Sequence, residues 1–204
     1  MSANDQDHDA ADSEGPRYAY KPSLVGAPCE FVLKPDALHW QVGRRSGHVR
    51  YDRVSSVRLS FRPVTMQSHR FIAEIRAPDH PKVLISSVSW RSLVEQERFD
   101  GAYTAFVQEL HRRLAAAGST ARFYAGMPLV PYWIGVVLFA GVILATAAMV
   151  VRAVQTEQWS GAAVVALFFA MFAYQLGNYF RRNRPATYRP DALPDNVLPT
   201  AKSK

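Results

Sequence analysis

Two uncharged apolar runs near the C-terminal end, residues 128–151 and 161–180, constrain this chain more than any other feature. A hydrocarbon core of ~30 Å takes about 20 residues of helix at ~1.5 Å rise each, so either run is long enough to span it. A helix in a soluble protein normally keeps a polar face. The first run has only Thr146 and the tips of Tyr132 and Trp133 to interrupt it, and the second is apolar on all sides until Gln175. Both are expected to cross a membrane. The first fifteen residues hold no apolar run, and a secretory signal is not expected there.

The link between the runs, 152–160, carries one Arg and one Glu. Two spans and a short turn make a helical hairpin with both ends on one side. Arg112, Arg113 and Arg122 precede the first run, Arg181, Arg182, Arg184 and Arg189 follow the second, and the turn offers only Arg152. By the positive-inside rule both termini face the cytoplasm and the turn lies outside. Tyr132, Trp133, Trp159, Tyr179 and Phe180 sit where interfacial aromatic anchors belong.

Charge divides the chain further. The net charge is +7, yet residues 1–15 hold five acids and no Lys or Arg. That segment is expected to be disordered, and Pro16, Pro22 and Pro28 mark an extended lead-in behind it. Residues 16–126 carry 17 basic against 9 acidic side chains. After Arg184, prolines at 185, 190, 194 and 199 forbid a helix and suggest a solvated tail. The lone cysteine, Cys29, excludes an intrachain disulfide and suits a cytoplasmic location.

Between tail and hairpin the pattern turns to strands. Residues 30–34 are a short apolar run; Leu38, Trp40 and Val42 alternate with His39 and Gln41; 48–51 alternates briefly. Val57, Leu59 and Phe61 alternate with Arg58, Ser60 and Arg62, and strands follow over 71–77 and 83–88. About six strands with tight turns predict an antiparallel meander that must curl or be covered. Phe99, Tyr103, Phe106, Val107, Leu110 and Leu114 recur at helical spacing and supply the cover. Asp100 lies in the first turn of that helix and Gly118 follows its last.

A small antiparallel barrel closed by one C-terminal helix resembles the pleckstrin-homology-like (PH-like) domain. The run HVRYDRVSSVRLSF, 48–61, is similar to the segment of bacterial membrane-associated versions in which a short strand ends in an aromatic residue and leads through V-x-x-V into a long strand. Such bacterial proteins often join this domain to transmembrane helices. The basic Lys…Lys/Arg-x-Arg motif of phosphoinositide-binding members is missing: Lys34 is followed by Arg44-Arg45-Ser46-Gly47. Inositol-phosphate recognition is therefore not implied.

The expected fold is an α+β soluble domain, a small antiparallel β-barrel or sheet capped by a C-terminal helix, followed by a two-helix transmembrane hairpin. Its parts are an acidic, disordered tail and lead-in (1–28), the PH-like domain (29–118), a linker (119–127), a first span (128–151), an external turn (152–160), a second span (161–180) and a disordered, basic, proline-rich cytoplasmic tail (181–204). The expected location is the cell membrane, the inner membrane of a bacterium if the resemblance holds.

No GxxxxGK[ST], GxGxxG, HExxH or GxSxG occurs, and the six histidines lack ligand spacing. Glu95 and Glu97 stand beside Arg91 and Arg98 as a solvated loop. No enzyme activity, cofactor or metal is expected. Gln175 and Asn178 share a helix face near the end of the second span, without the mid-depth ionisable groups of a transport path. Gly141, Ala145 and Ala148 on the first span, and Ala162, Ala166, Ala170, Ala173 and Gly177 on the second, form small-residue stripes suited to helix packing, within the hairpin or in a homo-oligomer. Arg44, Arg45, Arg50, Arg53, Arg58 and Arg62 are the candidate contacts to an anionic surface. The sequence thus points to a membrane-anchored cytoplasmic adaptor. Its partners would be the lipid bilayer, anionic lipid headgroups, and an unidentified membrane or cytoplasmic protein. The competing reading is an accessory subunit of a larger membrane complex, assembled through the hairpin. Nucleic acid is not an expected partner, since the basic residues are not interleaved with stacking aromatics.

Overall fold

A computed structural model describes residues 15–23, 25–63, 69–91 and 96–199. The acidic stretch 1–14, Glu95 and the end of the tail lie outside the described residues. The chain divides into two compact units. A β-unit takes the chain up to Ala125 together with the segment from Ala186, and a helical unit is Gly126–Pro185.

Alternation builds the β-unit. Strands β1 (Arg17–Tyr20), β2 (Cys29–Leu33), β3 (Ala37–Val42) and β4 (Arg45–Arg50) form an antiparallel meander in the order β1-β2-β3-β4. Cys29, Phe31, Leu33, Leu38 and Val49 turn inward and are buried. A 3-10 turn, Tyr51–Arg53, carries the chain to the second sheet. There Tyr51 is fully buried, its hydroxyl donates to Lys34 O at 2.8 Å, and the V-x-x-V valines Val54 and Val57 are buried behind it. Strands β5 (Ser56–Pro63), β6 (His69–Arg76) and β7 (Val83–Ser86) pair antiparallel, and β8 (Val88–Trp90) and β9 (Gln96–Arg98) form a small hairpin.

Helix α1 (Asp100–Ala116) buries Tyr103, Phe106, Val107, Leu110 and Leu114. The Tyr18 ring lies 5.5 Å from Phe106 and 6.2 Å from Tyr103, so the helix face packs on β1. Gly118 adopts φ +60°. Its N–H donates to Ala115 O at 3.1 Å and that of Ser119 to Leu114 O at 3.0 Å, the paired bonds of a glycine-terminated helix.

Three features depart from the sequence expectations. The lead-in contains β1, whose Tyr18 and Tyr20 hydroxyls donate to Ser86 O (2.6 Å) and Leu84 O (2.8 Å) and so tie the first sheet to the second. The linker contains β10 (Arg122–Ala125), which pairs parallel with β5, so the fold is not wholly antiparallel. The tail, expected to be disordered, returns to the β-unit over residues 186–199. Its β11 (Ala186–Thr187) pairs with β10, Tyr124 opposite Thr187 and Ala125 opposite Ala186. A 3-10 turn, Asp195–Val197, contacts β5, and Val197 and Leu198 are buried. The prolines do exclude a helix here, but apolar burial orders the segment instead. The second sheet thus runs β11-β10-β5-β6-β7.

The returning segment is held by His111. This side chain is fully buried on the inner face of α1. Nδ1 lies 2.7 Å from Val107 O and Nε2 lies 2.8 Å from the Tyr188 hydroxyl. A carbonyl only accepts, so Nδ1 carries the proton and Nε2 accepts from Tyr188. The Phe123 ring packs against both His111 and Tyr188.

The helical unit consists of α2 (Leu129–Gln155) and α3 (Trp159–Arg182), two helices long and apolar enough to cross a membrane. The first runs past its expected end at 151 and the second past both of its expected ends, leaving 156–158 as the turn, with Glu157 at φ +60°. The seam between them is largely aromatic at one end. The Phe180 ring stands 5.8 Å from Tyr132 and 5.6 Å from Phe139, and it lies where a Cβ on Gly135 would be 2.9 Å away. Of the expected small-residue stripes, Ala162 is buried, and Ala173 and Gly177 are half-buried. Gly141, Ala145, Ala148, Ala166 and Ala170 are exposed. Large side chains of the aromatic cluster set the seam at this end, with Phe180 against Gly135. At the base Met127 N–H donates to Asn183 O at 3.0 Å, and Gly126, at φ +74°, leaves room for that carbonyl.

Acid should weaken the β-unit through His111, whose pKa burial lowers from 6.5 to about 4. The unfolded chain takes up that proton first, so the contribution is complete above the ordinary histidine value. It declines as the pH falls through that window, by at most ~1.4 kcal/mol per pH unit. Denaturation midpoints measured from pH 7.5 down to the acid end of the window should show this decline. Tyr188→Phe should cost ~1 kcal/mol at neutral pH. A flat midpoint with unaltered stability of the variant would contradict the clasp.

Candidate functional site

The six expected arginines do not form one surface. Arg44 lies in the β3–β4 turn, Arg45 and Arg50 on β4, and Arg53 ends the 3-10 turn. Arg58 and Arg62 lie on β5, in the other sheet. Arg50 is held by Asp52 through two bonds of 3.1 and 3.0 Å, which keep that carboxyl below the usual range. Arg58 stacks over the Tyr124 ring at 4.8 Å, a cation–π contact between the parallel strands. Arg62 stands opposite Arg70. The six arginines are therefore divided between the two sheets and the turns beside them, because the corner at residues 51–55 sends β4 and β5 into different sheets.

A more compact arrangement lies on the outward face of the first sheet. Register places Arg17, Val32, His39 and His48 directly opposite one another across β1, β2, β3 and β4. The next outward row is Glu30, Gln41 and Ser46. With Lys34 at the end of β2 these residues line a groove of about 390 Å³. Arg17 and Glu30 approach to 3.8 Å across β1 and β2. The two imidazoles stack, ring centroids 5.3 Å apart and planes at 21°. His39 is held below its ordinary pKa by burial first, then by the positive charges of Lys34 and His48, with Asp36 opposing.

Trp40 alternates to the other face of the sheet, in the row of Phe31 and Gly47. Its indole lies across Gly47, where a Cβ would stand 2.6 Å from Cζ2 and 3.1 Å from Nε1. Glycine is required there for close approach rather than for φ. The indole Nε1 is buried and has no hydrogen-bond partner among the described residues. Unpaired buried donors are uncommon.

The sequence carried a signal for this groove in the β3–β4 loop. A two-residue loop, Gly43-Arg44 with Gly43 at φ +60°, fixes the pairing of Val42 with Arg45 and hence of His39 with His48. Cys29 is the first residue of β2 and is buried, which raises its pKa; nothing about it favours a reactive thiol. No group of three or more His, Cys, Asp or Glu side chains able to hold a metal occurs among the described residues.

No protein-family model, curated protein or solved structure matches the chain.

Gly47→Ala should force the indole of Trp40 off the sheet. The expected cost is about 1–3 kcal/mol of overpacking strain, with a shift in tryptophan emission. A variant of native stability and unchanged emission would show that the ring does not depend on the glycine.

Proposed function

We propose that this chain is an integral membrane protein whose helical hairpin anchors a PH-like domain at the cytoplasmic face of the membrane, where the domain engages anionic lipid or a protein partner. The observation that carries this reading is the pairing of β10 with β11. The chain leaves the β-unit at Ala125 and returns at Ala186, residues paired with each other in one sheet. A backbone-paired strand pair cannot straddle a bilayer. If both helices span, the hairpin therefore begins and ends on the same side of the membrane. Flanking charge favours the cytoplasm for that side: Arg112, Arg113 and Arg122 stand before α2, and Arg181, Arg182, Arg184 and Arg189 at or after the end of α3, against Arg152 in the stretch between the runs.

Support for the PH-like reading is the element order: a four-stranded antiparallel meander, three more antiparallel strands, and a helix with its apolar face buried. The parallel strand β10 and the inserted hairpin are additions to that plan. Arg44, Arg45 and Arg53 are exposed and suit an anionic headgroup surface, at ~1 kcal/mol per basic residue close to the membrane.

The exposed small residues of the hairpin favour a second reading, an accessory subunit docked through the membrane. Gly141, Ala145, Ala148, Ala166 and Ala170 leave faces on which another helix backbone can approach closely. Stoichiometric copurification of another membrane protein after mild extraction would favour it. A second copy of this chain would instead make the hairpin a homo-oligomer contact.

The topology is tested with single cysteines in a Cys29→Ala background. Glu157→Cys should react with an impermeant maleimide from outside intact cells, and Ser46→Cys only after lysis; the reverse pattern overturns the orientation. In nanodiscs, protection of the β3–β4 turn from proteolysis should rise with the anionic-lipid fraction and fall with salt. Indifference to both removes lipid from the proposal.

A further inference from the structure

The groove on the outward face of the first sheet is distinct from the exposed arginines of the β3–β4 turn and the 3-10 turn. We propose that it is a binding site for a tetrahedral oxyanion of the phosphate class, and that its affinity is set by protonation of the His39–His48 pair. This inference concerns the sheet face alone and does not depend on membrane topology.

Four strands deliver the groups. Arg17 comes from β1, Lys34 from the end of β2, His39 from β3, and His48 and Ser46 from β4. They offer a guanidinium, an ammonium, two imidazoles and a hydroxyl around one hollow. Donors arriving from several strands suit an anion with oxygens on all sides better than a planar carboxylate, which a single guanidinium satisfies bidentately. A metal cation is disfavoured at the same place by Arg17 and Lys34, and no third metal ligand joins the histidines among the described residues.

Charge explains the proton dependence. The groups on this face are Arg17 on β1, Glu30 and Lys34 on β2 and its end, Asp36 in the following turn, His39 on β3, and His48 and Arg50 on β4; Asp52 in the next turn holds Arg50. Glu30 faces Arg17 across the strands, and Asp36 acts on His39. With neutral histidines the acids and bases of this face nearly cancel. With protonated histidines the face is strongly positive at one spot, the stacked pair. Two cations with ring centres 5.3 Å apart repel, and Lys34 adds to that repulsion at His39. An anion seated against both rings relieves the repulsion, so it binds with proton uptake. By linkage its affinity must rise as the pH falls.

The test uses the full chain in detergent micelles with 13C-labelled histidine. Sulfate is the first probe, because it stays a dianion throughout the range and leaves the protein as the titrating party. The expected result is movement of the His39 and His48 ring resonances, with His111 unmoved, and at least tenfold tighter binding at pH 5.5 than at 7.5. Arg17→Gln with Lys34→Gln should weaken binding at both pH values. His39→Asn with His48→Asn should abolish the pH dependence, followed through the backbone amide resonances of β3 and β4. All four side chains are on the sheet surface, and an unchanged amide spectrum reports retained folding. Glycerol 3-phosphate and nanodiscs doped with phosphatidic acid then separate a soluble phosphate from a lipid headgroup as the source. Histidine resonances indifferent to sulfate, glycerol 3-phosphate and phosphatidic acid would overturn the proposal. So would tight binding that survives the Arg17/Lys34 and His39/His48 variants.

Discussion

A two-residue strand pair carries both covalent connections of the β-unit to the helical unit. By itself such a pair is weak, since two residues of ladder hold little against the entropy of a closed loop as long as the hairpin. What keeps β11 on β10 lies just beyond it. Tyr188 places its ring on Phe123 and its hydroxyl on a buried histidine, and Val197 and Leu198 bury further along against the second sheet. The parallel strand β10 depends on the same arrangement, because it would otherwise be an open sheet edge, which folded proteins avoid exposing. Aromatic packing around His111 thus supports both the sheet edge and the return of the chain.

His111 shows how a polar group can be the right core residue. Its position on α1, four residues after Val107, falls on the buried face, where a leucine would fill a similar space. A leucine could not receive Tyr188, and the phenol would be left buried without a partner at a cost of about 1–3 kcal/mol. The imidazole satisfies one bond within its own helix and one across sequence. Tyr103 nearby takes the other course: its hydroxyl is buried with no partner among the described residues, packed among Tyr18 and its neighbours.

Local pattern and non-local pairing differ in how far they can be read from residues. Alternation located β2, β3 and β5 to β7, and helical spacing located the inner face of α1, because each of these signals lies within one element. Charge-free length located both hairpin helices for the same reason. Strands β1, β10 and β11 are only two to four residues long. Their strand character comes from partners far away, such as Val57 beside Phe123, and from tyrosine hydroxyls that find carbonyls on another strand. The arginines from 44 to 62 read as one basic run along the chain, yet a three-residue turn distributes them over two sheets. The His39–His48 groove is the intermediate case. Its register follows from a two-residue loop, and a glycine whose role is to make room for Trp40 marks its floor.

The insertion of the hairpin into the sheet has a consequence for how the protein is made. Synthesis runs from N- to C-terminus, so β10 emerges before either apolar helix, and β11 with Tyr188 emerges after both. During that interval the second sheet has an unfinished edge and His111 lacks its acceptor's partner. A chain arrested anywhere within the hairpin cannot close its β-unit. Completion of the β-unit is therefore a built-in record that the ribosome has passed both helices, and the stretch from Ala186 to Leu198 serves as the seal on that record.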